Sequence, residues 1–107
     1  MDEEQKELLV DRFVLGAFVE AARLYEEDVA SIKDIDLAMR AGAGFAEGPF
    51  GQADSEGLDA VVARLERLQA LYGARFAPPA CLRELVSRGH LGKKTGKGFY
   101  EYTGQAG

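Results

Sequence analysis

The sequence has very little cysteine and histidine, with Cys81 and His90 as the only examples among 107 residues. A single cysteine forms no intramolecular disulfide, which fits a reducing, cytoplasmic setting. One histidine and one cysteine do not make a ligand set, so we expect no metal site. Cys81 is most simply a small buried apolar residue. His90 has no nucleophile beside it in a recognisable pattern, and we expect no catalytic role for it.

Positive charge is also scarce. The chain has 13 Lys and Arg against 18 Asp and Glu, a formal charge of −5, whereas nucleic-acid binding needs a surplus of positive charge to neutralise phosphates. No apolar run approaches the ~18 residues of a membrane span. The N-terminal segment is acidic where a signal peptide is basic. We therefore expect neither a nucleic acid nor a membrane as a partner.

Strand patterns are nearly missing, since a short strand-like run occurs only at residues 98–102. A dinucleotide-binding Rossmann domain needs several βαβ units of ~30 residues each, and a helical chain of 107 residues has no room for them. The sequence therefore predicts an all-α fold in a single domain, residues 1–107, that binds no cofactor by itself. Its 47% of apolar residues is enough for a core.

Apolar residues at helical spacing fill most of the chain. Ser31 is a typical N-cap, and Gly42 is predicted to stop the helix that follows it. That helix is expected to bury an edge made of Ile32, Ile35, Ala38 and Met39. The predicted helices are about Glu4–Glu27, Ser31–Gly42, a short one around Phe50–Ala53, Leu58–Tyr72 ended by Gly73, and one from Pro78-Pro79 to Gly89.

The first predicted helix is apolar around most of its circumference, with a single polar stripe. Such a helix is either central in a fold or in contact with a partner chain. Because a domain of this size covers only part of it, we predict a homodimer formed through this helix.

Two glycine-rich segments resemble nucleotide-binding motifs without matching them. Gly42-Ala43-Gly44 follows a helix rather than a strand and lacks the third glycine of the dinucleotide fingerprint. In residues 92–98 the first glycines are one position too close for a phosphate loop, and Gly98 stands where that loop needs Ser or Thr. We interpret residues 90–102 as a turn-rich cap with solvated lysines.

Asp11 is the candidate site residue that periodicity indicates. It projects away from the polar stripe of the first helix, and a carboxylate on an apolar face is costly unless it is paired or hydrogen-bonded. The structural interpretation is a position favoured by the helix dipole, or an ion pair with a basic residue from another helix. The functional interpretation is that Asp11 faces a cleft. Periodicity leaves both open.

Short motifs in a fixed order run from about Leu8 to Tyr102. They are Asp11-Arg12-Phe13, Glu20-Ala21, Val29-Ala30-Ser31, Asp34-Ile35-Asp36, Ala38-Met39, Gly42-Ala43-Gly44, Gly48-Pro49-Phe50, Asp54, Gly57-Leu58-Asp59, Arg75-Phe76, Pro78-Pro79, Leu85-Val86 and the run from Gly92 to Tyr100. As an ordered set they resemble the C-terminal domain of the L-3-hydroxyacyl-CoA dehydrogenases, of the 3-hydroxybutyryl-CoA dehydrogenase kind.

The resemblance implies a multi-helix domain of the 6-phosphogluconate dehydrogenase C-terminal-like type, as an intertwined or helix-packed homodimer. Enzymes of the family use NAD to oxidise the 3-hydroxyl of an acyl-CoA thioester in fatty-acid metabolism. A separate Rossmann domain carries the NAD and a catalytic His–Glu pair. The helical domain covers the substrate cleft, forms the dimer contact and supplies an Asn, just before the Arg of the first helix, that hydrogen-bonds the reacting acyl group.

This sequence departs from the family pattern in two places. Asp11 stands at the Asn position, and an ionised carboxylate accepts hydrogen bonds whereas an amide also donates them. Lys6-Glu7-Leu8 replaces the usual Pro-Gly-Phe that leads in from the Rossmann domain. This replacement suggests a chain that begins here naturally, or one copy from a multi-domain protein.

The leading hypothesis is a substrate-cleft and dimerisation domain of a 3-hydroxyacyl-CoA dehydrogenase, inactive without a separate Rossmann domain or protein. Asp11 and Arg12 are the predicted substrate-binding residues, and no catalytic residue is expected within this chain. The alternative is a stand-alone, non-catalytic dimer module that binds an acyl-CoA or a partner protein. A dimeric scaffold without a ligand is a third possibility.

Overall fold

The computed structural model describes residues 1–44 and 46–102. Within these residues the fold is all-α, as predicted, and the only bridges outside the helices are isolated ones in the C-terminal segment. The helices are α1 (Glu3–Glu26), α2 (Ile32–Ala43), α3 (Pro49–Glu56), α4 (Leu58–Tyr72) and α5 (Ala80–Ser87), with short 3₁₀ turns at Ala74–Phe76 and Lys93–Thr95.

Most helix ends agree with the prediction. α4 has the predicted bounds, and Gly73 ends it with a φ of 102° that favours glycine. α1 begins slightly earlier than predicted, because Asp2 and Gln5 form a reciprocal capping box. Ser31 caps α2 as predicted, with its Oγ accepting from the Asp34 N–H at 3.1 Å.

Two predictions about α2 are wrong. The helix does not stop at Gly42 but ends at Ala43, and its C-cap Gly44 has a φ of 74°, the left-handed conformation that ends a helix. Ala38 is exposed rather than buried, because α2 turns the face of Ile35 and Asp36 toward the rest of the fold. α3 is also longer at both ends than the predicted short helix.

The core centres on Phe18 of α1. Its ring makes edge contacts with the ring of Phe50 in α3, at 5.9 Å between centroids, and with that of Phe99 in the C-terminal segment, at 5.8 Å. α4 and α5 complete the core with fully buried aliphatic side chains: Leu58, Val61, Leu65, Leu68 and Leu82.

The two halves of α1 differ in burial. Residues 3–14 include no buried side chain, whereas the second half buries Leu15, Phe18, Val19, Ala21 and Ala22. The apolar circumference that the sequence predicts is therefore covered at one end of the helix and exposed at the other. No helix in residues 1–44 and 46–102 is long and apolar enough to cross a membrane.

The C-terminal segment folds back over the helices as the predicted turn-rich cap. Lys97 bridges to Gly92 on one side and to Glu101 on the other, which makes a tight double turn. Lys93, Lys94 and Lys97 are exposed. Phe99 reaches inward from this segment and contacts the core.

Candidate functional site

Asp11 lies on the side of α1 that faces α4. Its side chain is only 16% exposed, and its Oδ1 accepts a hydrogen bond from an Arg64 terminal nitrogen. This is an ion pair with a basic residue from another helix, which was one half of the structural interpretation. Contact between Asp11 and an acyl group stays a prediction.

Arg64 holds a second carboxylate as well. Its other terminal nitrogen donates to Glu56 at the end of α3, so one guanidinium joins α1, α3 and α4. Desolvation lowers the pKa of Arg64, but its hydrogen bonds to Asp11 and Glu56 and the charges of these carboxylates outweigh it and raise the pKa above the ordinary value. Arg64 therefore keeps its positive charge.

A narrow apolar cleft adjoins this bridge, and we call it the α1–α3–α4 cleft. Glu56 lies on the lining of the cleft and also accepts from Arg64. The rest of the lining is largely apolar and includes Val14, Leu15, Phe18, Ala53 and Val61. The cleft encloses only about 10 Å³, room for at most one water molecule, so it holds no ligand-sized space in this structure.

Arg12, the second predicted site residue, points to a different face. Its guanidinium lies 4.3 Å from the ring centroid of Tyr72 in α4, a cation–π contact. It also lines a groove of about 540 Å³ together with the arginines Arg23 and Arg75. Asp11 and Arg12 are neighbours in sequence and each contacts α4, but they do so on different sides of α1.

Asp36 is a buried carboxylate whose role the sequence did not reveal. It accepts from the Phe50 and Gly51 N–H groups at 2.9 and 3.0 Å, and from the Tyr100 hydroxyl at 2.7 Å. These N–H groups belong to the first turn of α3, where Gly48 offers no capping side chain. The Gly48-Pro49 start was therefore the signal that an acceptor has to come from elsewhere in the chain.

Asp54 is a second buried carboxylate, and it accepts hydrogen bonds from the C-terminal segment. It is 1% exposed and accepts from the Phe99 and Tyr100 N–H groups, at 2.9 and 3.0 Å, and from the Tyr102 hydroxyl at 2.7 Å. Gly98 packs so closely against this carboxylate that a Cβ there would lie 2.3 Å from Oδ1. Asp36 and Asp54 have their acceptors occupied by the fold, so they are structural.

The two tyrosine hydroxyls that donate to these carboxylates have raised pKa values. Burial, followed by the hydrogen bond to Asp36, raises the pKa of Tyr100 above its ordinary value. Burial and the hydrogen bond to Asp54 raise the pKa of Tyr102 in the same way. Both groups therefore stay protonated donors over the physiological range.

Comparison with known proteins places this geometry in a family. Residues 9–102 match the model of the 3-hydroxyacyl-CoA dehydrogenase C-terminal domain. The chain belongs to this family. The resemblance drawn from the ordered motifs is thereby confirmed.

Relatives of the 3-hydroxyacyl-CoA dehydrogenase C-terminal domain match nearly the whole chain. A probable 3-hydroxyacyl-CoA dehydrogenase of Caenorhabditis elegans is 45% identical over 88% of this chain and 32% of its own length. The mitochondrial hydroxyacyl-coenzyme A dehydrogenase of Sus scrofa is 40% identical over 88% of this chain and 31% of its own length. The chain thus spans about a third of the curated relatives it matches.

A solved structure agrees in fold. The 3-hydroxybutyryl-CoA dehydrogenase of Escherichia coli superposes with a TM-score of 0.82 at 38% identity, covering 92% of this chain and 21% of that one. The all-helical arrangement is therefore that of the family.

Cys81 and the possible metal ligands are the other groups that the sequence raised. Cys81 is half-buried rather than fully buried, and burial together with a hydrogen bond to Glu26 raises its pKa to about 12, so the thiol is a poor nucleophile. Within residues 1–44 and 46–102, no group of three or more His, Cys, Asp or Glu side chains is arranged to hold a metal ion.

Proposed function

We propose that this chain is the substrate-cleft and dimerisation domain of a 3-hydroxyacyl-CoA dehydrogenase in fatty-acid metabolism. The observation that carries the proposal is the family match over residues 9–102, which corresponds to only about a third of the full-length relatives. In this proposal a separate Rossmann domain or protein supplies NAD and the catalytic His–Glu pair. We propose the cytoplasm as its compartment, which the single cysteine supports.

The test is a complementation assay. We expect the purified chain alone to leave NADH absorbance unchanged in the presence of acetoacetyl-CoA. We expect turnover when residues 9–102 replace the matching segment of the Sus scrofa enzyme. The remaining segment of that enzyme, expressed without any replacement, is the control. Turnover by the isolated chain, or a folded chimera no more active than the control, would contradict the proposal.

Within this function we propose Asp11 as the residue that contacts the acyl group, with Arg12 as its neighbour and anchor. Support comes from Asp11 on the side of α1 that faces α4, where its side chain is still 16% exposed, and from the contact that ties Arg12 to Tyr72. Orienting the acyl group for hydride transfer is a positioning role, which a protein supplies to a cofactor reaction.

We also propose that the chain forms a homodimer through the first half of α1. Support comes from Leu9, Val10 and Phe13, which expose 57, 56 and 70% of their surface along this half. Sedimentation at micromolar concentration is expected to give twice the 11.6 kDa mass of the chain. A monomer at that concentration would refute this part of the proposal.

A matched pair of variants localises the interface. Leu9→Ser is expected to shift the chain to monomer, because it places a polar group in the apolar contact. Leu71→Ser in α4 removes a leucine of nearly equal exposure, 55%, and is expected to leave the dimer intact. Equal effects of the two substitutions would argue against an interface on α1.

The second candidate is a stand-alone module that binds an acyl-CoA or a partner protein without catalysis. The pairing of Asp11 with Arg64 favours this candidate. A carboxylate in an ion pair can bind a ligand, but it does not stabilise the negative charge that develops in a reaction. Isothermal titration separates the two functions. Acyl-CoA binding by a chain whose chimera is inactive would favour the module.

A further inference from the structure

Arg64 connects the proposed acyl-contact residue to a second carboxylate. One of its terminal nitrogens donates to Asp11 Oδ1 and the other to Glu56 Oε2. A guanidinium presents its N–H groups in one rigid plane, so it fixes the orientation of both carboxylates at once. Asp11 is therefore held in place by Arg64 of α4, which Glu56 of α3 in turn orients.

The bridge also determines what Asp11 can do chemically. A carboxylate in an ion pair accepts hydrogen bonds and has no proton to donate, whereas an amide at the same position does both. Arg64 and Asp11 have side chains that are 32% and 16% exposed, so water screens their attraction only partly. A ligand that meets Asp11 therefore meets a fixed acceptor.

We propose that Arg64 is a positioning residue that fixes Asp11 as an acceptor and thereby makes the acyl site prefer 3-hydroxy over 3-keto thioesters. The inference rests on the proposed function, since it takes Asp11 to contact the acyl group. A hydroxyl at C3 donates to the carboxylate, but a ketone at C3 presents only lone pairs to it. Sites built around a hydrogen bond reject analogues that leave a buried polar group unpaired.

The bridge borders a small apolar space. Glu56, the second partner of Arg64, lines the α1–α3–α4 cleft, whose walls near it include the apolar side chains of Val14 and Val61. Because this space is only about 10 Å³, it takes no hydrocarbon end in this structure, and the preference is carried by the contact of the C3 oxygen with Asp11 alone.

The test is a titration of the ¹⁵N-labelled chain, followed by amide chemical shifts, with 3-hydroxybutyryl-CoA and with acetoacetyl-CoA. We expect the hydroxy ester to bind about tenfold more tightly, as for one hydrogen bond to a charged group. Asp11→Asn is expected to bring the ratio of the two dissociation constants close to one, because an amide pairs with either oxygen.

Arg64 is tested by two substitutions of graded severity. Arg64→Leu is expected to reduce the ratio severalfold, since Asp11 loses the group that orients it. Arg64→Lys retains the charge without the planar guanidinium that reaches both carboxylates, and it is expected to restore the ratio in part. The matched control is Arg67→Leu on the same helix as Arg64. It removes an exposed ion pair with Glu4 of α1 and should leave the ratio unchanged. Thermal melting followed by circular dichroism checks that each variant is folded.

The possible outcomes separate this inference from the function on which it rests. Equal binding of both esters by the unmodified chain overturns the inference and leaves the proposed acyl contact standing. A ratio that survives in Arg64→Leu, or that falls equally in Arg67→Leu, also overturns it, because Arg64 then has no specific positioning role. If neither ester shifts any amide, both the inference and the acyl contact of Asp11 are overturned.

Discussion

The two halves of α1 have the same apolar character and opposite surroundings. The second half packs under α3 and the C-terminal segment, with Phe18 at 2% exposure, while Phe13, little more than one helical turn earlier, is 70% exposed. The covered half stabilises the domain itself. The exposed half, with Asp11 on its inner side, is the part available to ligand, partner or second copy.

The sharpest test of this contrast is a truncation to alanine in each half of α1, beginning with the covered half. Phe18→Ala is expected to lower the free energy of unfolding by about 3–5 kcal/mol, because it leaves a cavity between the rings of Phe50 and Phe99. Urea denaturation followed by circular dichroism measures the loss. A cost below about 1 kcal/mol would mean that the second half of α1 is not the centre of the core.

A smaller effect on stability is expected at Asp54, whose carboxylate holds the C-terminal segment against the helices. Asp54→Asn should cost about 2–3 kcal/mol, because an amide group turned toward the Phe99 and Tyr100 N–H groups cannot accept from both. Asp59→Asn, at an exposed carboxylate paired with Lys94, is the control and should cost less than about 1 kcal/mol. Equal costs would show that Asp54 does not anchor the segment.

Alkaline pH is expected to lower the free energy of unfolding of the domain. Cys81 and the two tyrosines have pKa values raised above the ordinary 9.0 and 10.0, so the folded chain binds their protons more tightly than the unfolded chain does. Their contribution to stability is complete below pH 9 and decreases as the pH rises above it. Urea midpoints at pH 7, 9 and 10.5 measure the decrease, and Cys81→Ala should make it shallower. A midpoint that rises with pH would contradict this assignment.

The smallest expected effect on stability belongs to the exposed half. Leu9→Ala, at a leucine that is 57% exposed, should change the free energy of unfolding of the monomer by less than about 0.5 kcal/mol, measured at protein concentrations where the chain is monomeric. At higher concentrations a larger loss is expected, because the proposed dimer through this half would add to stability by mass action. A loss at low concentration as large as that of Phe18→Ala would erase the distinction between the halves.

Local patterns in the sequence were sufficient for the helices but not for the contacts between them. α4 has regular apolar spacing and a glycine at its end, so its bounds followed directly. The end of α2 was mistaken because Gly42 and Gly44 are equivalent in sequence, and only the backbone angle at Gly44 decides between them. Periodicity carries no information about such an angle.

At the candidate site, too, the sequence predicted what depends on a single helix and missed the contacts between distant segments. Helical projection identified Asp11 as a carboxylate in an unusual position, since this needs only its own helix. Its partner Arg64 is 53 residues away and lies on what the sequence marks as the polar face of α4, so no local pattern connects them. Asp36 and Asp54 were missed for the same reason, because their donors come from segments far along the chain.

Asp36 links three segments that lie far apart in the sequence. It sits in α2, caps the first turn of α3, and receives the hydroxyl of Tyr100 from the C-terminal segment. α3 has eight residues and no cap of its own, so a peptide of its sequence would be unstructured in isolation. Slow hydrogen exchange at the Phe50 amide therefore reports whether distant parts of the chain have assembled, as one cooperative folding unit.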